Sequence, residues 1–197
     1  MAIAFGDRET ALVAARAVNQ VHARVKGRGY RALDPDLLLW VHATLFDTSL
    51  VTYETFVQRL PVEEREDFYQ EFKLMGELLG IPRDRFPETL RDFDAYLDEM
   101  MSTGPVRVDR HAKDLAALVL RPRVRLLPGP VMIPFAVVTA GLLPATLRTQ
   151  YGLAWGSGQR RAFALAAATL PRIVKLTPPV LRVWPLPGHT VSLSASH

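Results

Sequence analysis

The sequence predicts an all-α protein, an irregular single-domain bundle of about seven or eight helices, and three observations carry that prediction. Apolar residues recur at three- and four-residue steps in one segment after another, which is the spacing of a helix face. No alternating run of strand length is present, and no repeat period is evident. The breaks between periodic segments fall at glycines, prolines and capping residues, where helices stop and start. With 197 residues, 49% of them hydrophobic and nine of them phenylalanine, the chain has enough apolar surface for one real core. Residues 1–187 are read as that domain and residues 188–197 as a disordered tail.

The first helix is expected over Asp7 to Lys26, with Ala11, Ala14, Ala15, Val18, Val21, His22 and Val25 along its apolar side. The glycines of GRG at 27–29 end it. Asp34-Pro35 then supplies an acceptor side chain followed by the residue best suited to the first helical position. From there Leu38, Leu39, His42, Leu45, Phe46 and Ser49 share one face. Two consecutive helices therefore each carry a histidine on or beside the buried stripe. Such an imidazole is either neutral and hydrogen-bonded to a carbonyl or carboxylate, or a metal ligand, neutral imidazole being the commonest one.

Glu63 to Leu79 forms the next helix, with Phe68, Phe72, Met75, Leu78 and Leu79 inside and Glu63, Glu64, Glu66 and Asp67 in the first turns, where the helix dipole favours negative charge. Gly80 stops it. A turn-rich link precedes a helix from Pro87-Glu88 to Met101 with Leu90, Phe93, Tyr96, Leu97 and Met100 inside. Val108 to Leu120, Ile133 to Ala140, Leu142 to Tyr151 and Gln159 to Leu176 complete the series, with His111 exposed. His189 and His197, near the proline-rich end, receive no role.

There are no cysteines, which removes disulfides, thiolate zinc sites, cysteine nucleophiles and thiolate-ligated haem. The net charge of +4 comes mainly from arginines in the C-terminal half. No helix-turn-helix, zinc or aromatic RNA-binding signature accompanies it, so nucleic acid is not expected as a partner. No signal peptide is visible, and the most apolar stretch, Leu126 to Pro144, is broken by Pro128, Pro130 and Pro134. The expectation is a cytoplasmic protein, with peripheral membrane contact as a second option because the basic half is also the apolar half. No GxGxxG, P-loop, GxSxG or HExxH motif occurs. A di-iron site is the weaker metal option, since Asp47 and Glu54 lie near His42 but the Glu-x-x-His pair of ferritin-like bundles is missing.

The strings VHARVKG, GYRALDPDLLLWVHATLFDTSL and EFKLMGELLGIPRDRFPETLRDFDAYLDEMM, with the later LLPATLRTQYGLAW, resemble the oxygenase family of fungal MpaB and bacterial rubber oxygenase (latex clearing protein), also labelled DUF2236. The similarity runs from about Phe5 to Trp184. It implies an all-α fold that binds haem b and uses dioxygen to cleave carbon–carbon double bonds in apolar, isoprenoid molecules. Carried over by position, the resemblance makes His22 the axial ligand of the haem iron, places His42 in the haem pocket, and makes Lys26 the basic residue one turn after the ligand. Where rubber-cleaving relatives have an arginine one turn before that histidine, this chain has Asn19. Relatives also carry an earlier helical portion that covers the distal haem face. The chain opens at MAIAFGD, in what would be mid-domain, so no catalytic residue is assigned; a late start codon is the favoured explanation over a true fragment or a segment supplied from elsewhere. The alternative from another class is a non-catalytic helical protein, a haem-binding remnant, or a subunit that needs a partner.

Overall fold

The computed structural model describes residues 7–27, 29–102, 106–120 and 129–176. Among them are eight α-helices, one short 3-10 turn and one two-residue hairpin, an all-α architecture. In chain order these are α1 (Arg8–Arg24), β1 (Lys26–Gly27), β2 (Tyr30–Arg31), α2 (Pro35–Phe56), α3 (Val62–Leu78), the 3-10 turn Arg83–Arg85, α4 (Leu90–Ser102), α5 (Arg110–Leu120), α6 (Gly129–Leu142), α7 (Ala145–Tyr151) and α8 (Ser157–Leu176).

Local chemistry sets most of the boundaries. Asp7 caps α1 by accepting from the Thr10 amide at 2.7 Å, and Asp34 caps α2 through the amides of Asp36 and Leu37; each satisfies amides that the helix itself leaves without partners. α4 begins at Leu90, later than the Pro87-Glu88 signal suggested. Thr89 and Asp92 form a reciprocal box there, the Thr89 amide reaching Asp92 Oδ2 at 3.1 Å and the Asp92 amide reaching Thr89 Oγ1 at 3.2 Å. α5 likewise starts two residues after Val108, because Asp109 accepts from the Ala112 amide.

The core sits where α2, α3 and α4 meet. Phe46 is its centre, 1% exposed, with ring centroids of Phe93, Tyr69, Phe68 and Phe72 at 5.0 to 5.4 Å. Ala43, Tyr69, Phe93 and Leu97 complete the cluster. A second cluster joins Leu38 and Leu39 to Ile81 and Phe86 of the α3–α4 link. α1 packs on α3, and α6 and α8 pack against each other and against α2.

The buried faces differ from the periodic reading at several positions. Leu45 and Ser49 of α2 face outward and Ala43 is inside instead. On α1 only Ala11 and Ala15 are fully buried, while Val21 and Val25 are exposed. The reason is geometric: the main contact of α1 is with one helix, α3, and a stripe as wide as its apolar residues is covered only in part.

The C-terminal segment LLPATLRTQYGLAW turns out to be a clasp. The Arg148 guanidinium donates to the carbonyls of Ala140, Gly141 and Leu143, closing the end of α6, and lies 4.8 Å from the ring centroid of Trp155. Gly152 ends α7 at φ +70°, a conformation that favours glycine. The prolines of 122–128 and 178–187, the expected tail, His189 and His197 lie outside the described residues.

Candidate functional site

α1 delivers His22 to its last turn, half-buried, with Nδ1 enclosed and without a hydrogen-bond partner. One turn earlier Asn19 Nδ2 donates to the Leu78 carbonyl of α3 at 3.1 Å, and Asn19 Oδ1 is enclosed and unpartnered as well. The helix stops after Arg24, where the Val25 amide turns back to the His22 carbonyl at 3.1 Å. The chain then forms the β1–β2 hairpin, antiparallel, with Lys26 opposite Arg31 and Gly29 at φ +70° in the turn. Lys26 is therefore exposed on the hairpin and does not share the helical face of His22, although it lies four residues on. The helix ends at Arg24 with Val25 extended, ahead of the glycines expected to stop it, and that early end moves the lysine off the helix.

α2 holds His42 in the interface with α3, 5% exposed. Its Nε2 lies 3.0 Å from the Phe72 carbonyl. Because a carbonyl only accepts, Nε2 carries the proton and Nδ1 keeps a lone pair, which is buried and unpartnered. The ring centroid is 4.6 Å from that of Phe72 and 5.6 Å from that of Phe86, which meets it edge-on. Burial pulls the imidazole down from 6.5 to about 4, with the Phe72 carbonyl opposing that shift in part, so the ring is neutral at pH 7.

Gly76 makes this arrangement sterically possible. A Cβ there would stand 2.7 Å from Phe86 Cζ and 2.9 Å from His42 Nε2. Gly76→Ala is expected to destabilise the fold by about 1–3 kcal/mol, the usual cost of overpacking. Chemical denaturation would measure it, and a loss below roughly 0.5 kcal/mol would mean that the α2–α3 interface yields more readily than its contacts indicate.

The link that covers His42 is held by a side chain that periodicity placed on no apolar face. Lys73, buried in mid-α3, donates to the carbonyls of Pro87 and Glu88 at 3.1 and 2.9 Å and lies over the Tyr69 ring at 4.7 Å. Tyr69 Oη donates to the same Pro87 carbonyl at 2.8 Å. Burial lowers the Lys73 ammonium and raises the Tyr69 phenol. Together they pin Pro87, and with it the adjoining Phe86, against the histidine. The only sequence signal for this was a lysine among apolar residues in the string EFKLMG, which gives no hint that its partners would be carbonyls some fifteen residues ahead.

Both histidine neighbourhoods are thus tied to α3, His42 at Phe72 and the Asn19 turn at Leu78, six residues or about 9 Å apart along the axis. Among the described residues no hydrogen bond links the two rings. Glu54, considered for a di-iron site, is engaged instead by Arg65 at 2.8 Å and by the Leu60 amide at 3.0 Å. Among the described residues no three His, Asp or Glu side chains gather as a metal cage, and no helix is long and apolar enough to cross a membrane.

An irregular helical bundle with one histidine enclosed between α2 and α3 and another on the α3-facing helix α1 is the class that this fold defines. The chain belongs to the family described as ER-bound oxygenase mpaB/B'/Rubber oxygenase, catalytic domain, whose model matches residues 1–172. It is also 30% identical over 178 residues to the uncharacterized proteins Mb2261 of Mycobacterium bovis and Rv2237 of Mycobacterium tuberculosis, the alignments covering 85% of this chain and 67% of each relative. No solved structure matches it.

Proposed function

We propose that the protein is a haem b-dependent oxygenase acting with dioxygen on a small apolar molecule, isoprenoid in the family's best-described cases. The observation that carries this is the family match, which spans nearly nine-tenths of the chain and supports an oxygenase. The residues present suit the group. A porphyrin supplies four donors of its own, so iron held that way asks for one strong side-chain ligand and no cage of carboxylates. His22 has the required character, a half-buried imidazole whose second nitrogen is enclosed and waiting for a partner.

In this reading His22 would hold the iron and His42 would stand in the pocket wall. His42 contributes no charge, because burial keeps its ring neutral, and Phe72 and Phe86 fix its orientation. Lys26 would contribute a positive charge from the exposed hairpin rather than from the helical face of His22. When bound, haem b supplies dioxygen binding and the redox chemistry that opens a carbon–carbon double bond; the chain supplies ligation, orientation and a dry surround. Cytoplasmic placement with contact at a membrane surface belongs to the same proposal.

The test is an absorption spectrum of the purified chain after haem loading. A Soret band in the parent that is lost in His22→Ala and merely shifted in His42→Ala is the expected result. Full haem retention with an unchanged spectrum in His22→Ala would remove His22 from the iron.

One observation favours a second reading, a helical subunit that needs a partner. Leu118 and Val119 of α5 and Leu165 of α8 are each more than half exposed. Stable, monomeric behaviour at high concentration would count against it.

A further inference from the structure

Among the described residues Lys73 is the one charged side chain in the buried core, 5% exposed. Two of its N–H groups reach the carbonyls of Pro87 and Glu88, and its Nζ lies over the Tyr69 ring. Those partners are dipoles and a π face, none of them with a net charge. Among the described residues no carboxylate stands within ion-pair distance of it, and its third N–H has no hydrogen-bond acceptor. A lysine is almost never buried without a counter-charge, because desolvation penalises the ion heavily. Its titration carries the same mark: burial first, and then the positive charge of Arg83, lower the ammonium by more than Glu66, Glu88 and Glu77 raise it.

The same lysine lines a cavity of about 500 Å³ between α3 and the α3–α4 link, together with Gln70, Arg83, Phe86, Glu88 and Thr89. Gln70 and Thr89 have no donor to spare there: the amide hydrogens of Gln70 go to Glu66 and to the Glu88 carbonyl, and the Thr89 hydroxyl donates to Asp92. Arg83 has, since one nitrogen is bound to Glu77 and the rest of its fork makes no hydrogen bond among the described residues. We propose that this cavity is a binding site for a small monocarboxylate, whose carboxyl group supplies the counter-charge between Lys73 and Arg83 and whose apolar part lies on Phe86. The class of ligand follows from the lining. The volume lies in the range of small-molecule sites and exceeds what a single halide fills. A guanidinium fork matches a carboxylate in plane and spacing. Glu88 adds a negative charge to the rim, which disfavours a phosphate dianion. Phe86 meets His42 edge-on at 5.6 Å, so the site lies one ring from that histidine. Nothing in it depends on haem.

The experiment is a titration of the nitrogen-15-labelled full chain with sodium butyrate, read by amide chemical shifts, with sodium chloride at matched ionic strength as the control and inorganic phosphate as the competing class. Saturable shifts at the amides of Gln70, Lys73, Arg83, Phe86, Glu88 and Thr89, absent with chloride, are the expected result. Arg83→Gln is expected to weaken butyrate binding by about 10-fold, the loss of one hydrogen bond to a charged group. Glu88→Gln is expected to tighten it, because a like charge leaves the rim. Both side chains are exposed, so neither substitution disturbs the core. Lys73 also holds the link, and for that reason the test rests on the two rim variants and not on its removal. The absence of a saturable shift with butyrate, shifts confined to other residues, equal affinity in the parent and Arg83→Gln, or weaker binding in Glu88→Gln would overturn the proposal. Tighter binding of phosphate than of butyrate would overturn the monocarboxylate class.

Discussion

Phe46→Ala is expected to destabilise the protein by about 3–5 kcal/mol, the range for removing a large aromatic side chain from a packed interior. The side chain is the most enclosed in the described structure, and its ring meets four others, from Phe93 at 5.0 Å in a T-shaped contact to Phe72 at 5.4 Å. Those rings belong to α3 and α4, so this one residue of α2 is where three helices converge. None of the four neighbours can fill the void alone, since each is fixed by its own helix and Tyr69 is further held through its hydroxyl at Pro87. Urea unfolding followed by circular dichroism would measure the loss. A change under about 1 kcal/mol would show that the α2–α3–α4 junction repacks freely and is not the centre of the fold.

The second large effect is a dependence of stability on pH that traces to His42. The folded ring titrates near 4, whereas in the unfolded chain it titrates near 6.5. Between those values the unfolded chain binds a proton that the folded chain refuses, so lowering the pH favours unfolding. The stability is complete above pH 6.5, falls through the window down to about pH 4, and levels off below it. At ~1.36 kcal/mol for each unit of difference the total is about 3 kcal/mol. Asp47 and Asp94 act in the opposite sense, because burial and the charge of a neighbouring aspartate raise both carboxyls. The His42 contribution is therefore the difference between the parent and His42→Gln, a side chain that still offers an N–H to the Phe72 carbonyl but does not titrate. Thermal unfolding at pH 7.5 and pH 4.5 is expected to show a steeper acid loss in the parent; parallel pH profiles for the two proteins would rule out the buried ring as its source.

How much of this was legible beforehand differs from residue to residue. Asp34-Pro35 announced the start of α2 because an N-cap acceptor and a proline with fixed φ act within one turn, with no help from the rest of the chain. Gly80 marked the end of α3 for the same local reason, whereas α1 ends at Arg24, ahead of Gly27 and Gly29, which belong to the hairpin instead. His42 and Phe46 were placed inside correctly, since α2 is covered on the side their spacing defines. Leu45, Ser49, Val21 and Val25 were not, because periodicity gives the width of an apolar stripe but not which part of it a neighbour will cover. Lys73 was the largest surprise. A lysine becomes a core residue only when distant carbonyls receive its protons, and those carbonyls are brought to it by the path of the α3–α4 link.

The sequence by itself determined that this protein is helical, where most of its helices begin and end, and which two histidines occupy its first two helices, all through interactions a few residues in range. Its similarity to the mpaB and rubber oxygenase family was legible in the same strings, though the family match ends at residue 172, short of Trp184. The tertiary structure alone decided that both histidine neighbourhoods report to α3, that Gly76 leaves room for one ring while Leu78 anchors the amide beside the other, and that Lys26 leaves the helix it was expected to share with His22. Those are facts of close approach between segments far apart in the chain, and no local rule of spacing, capping or composition encodes them.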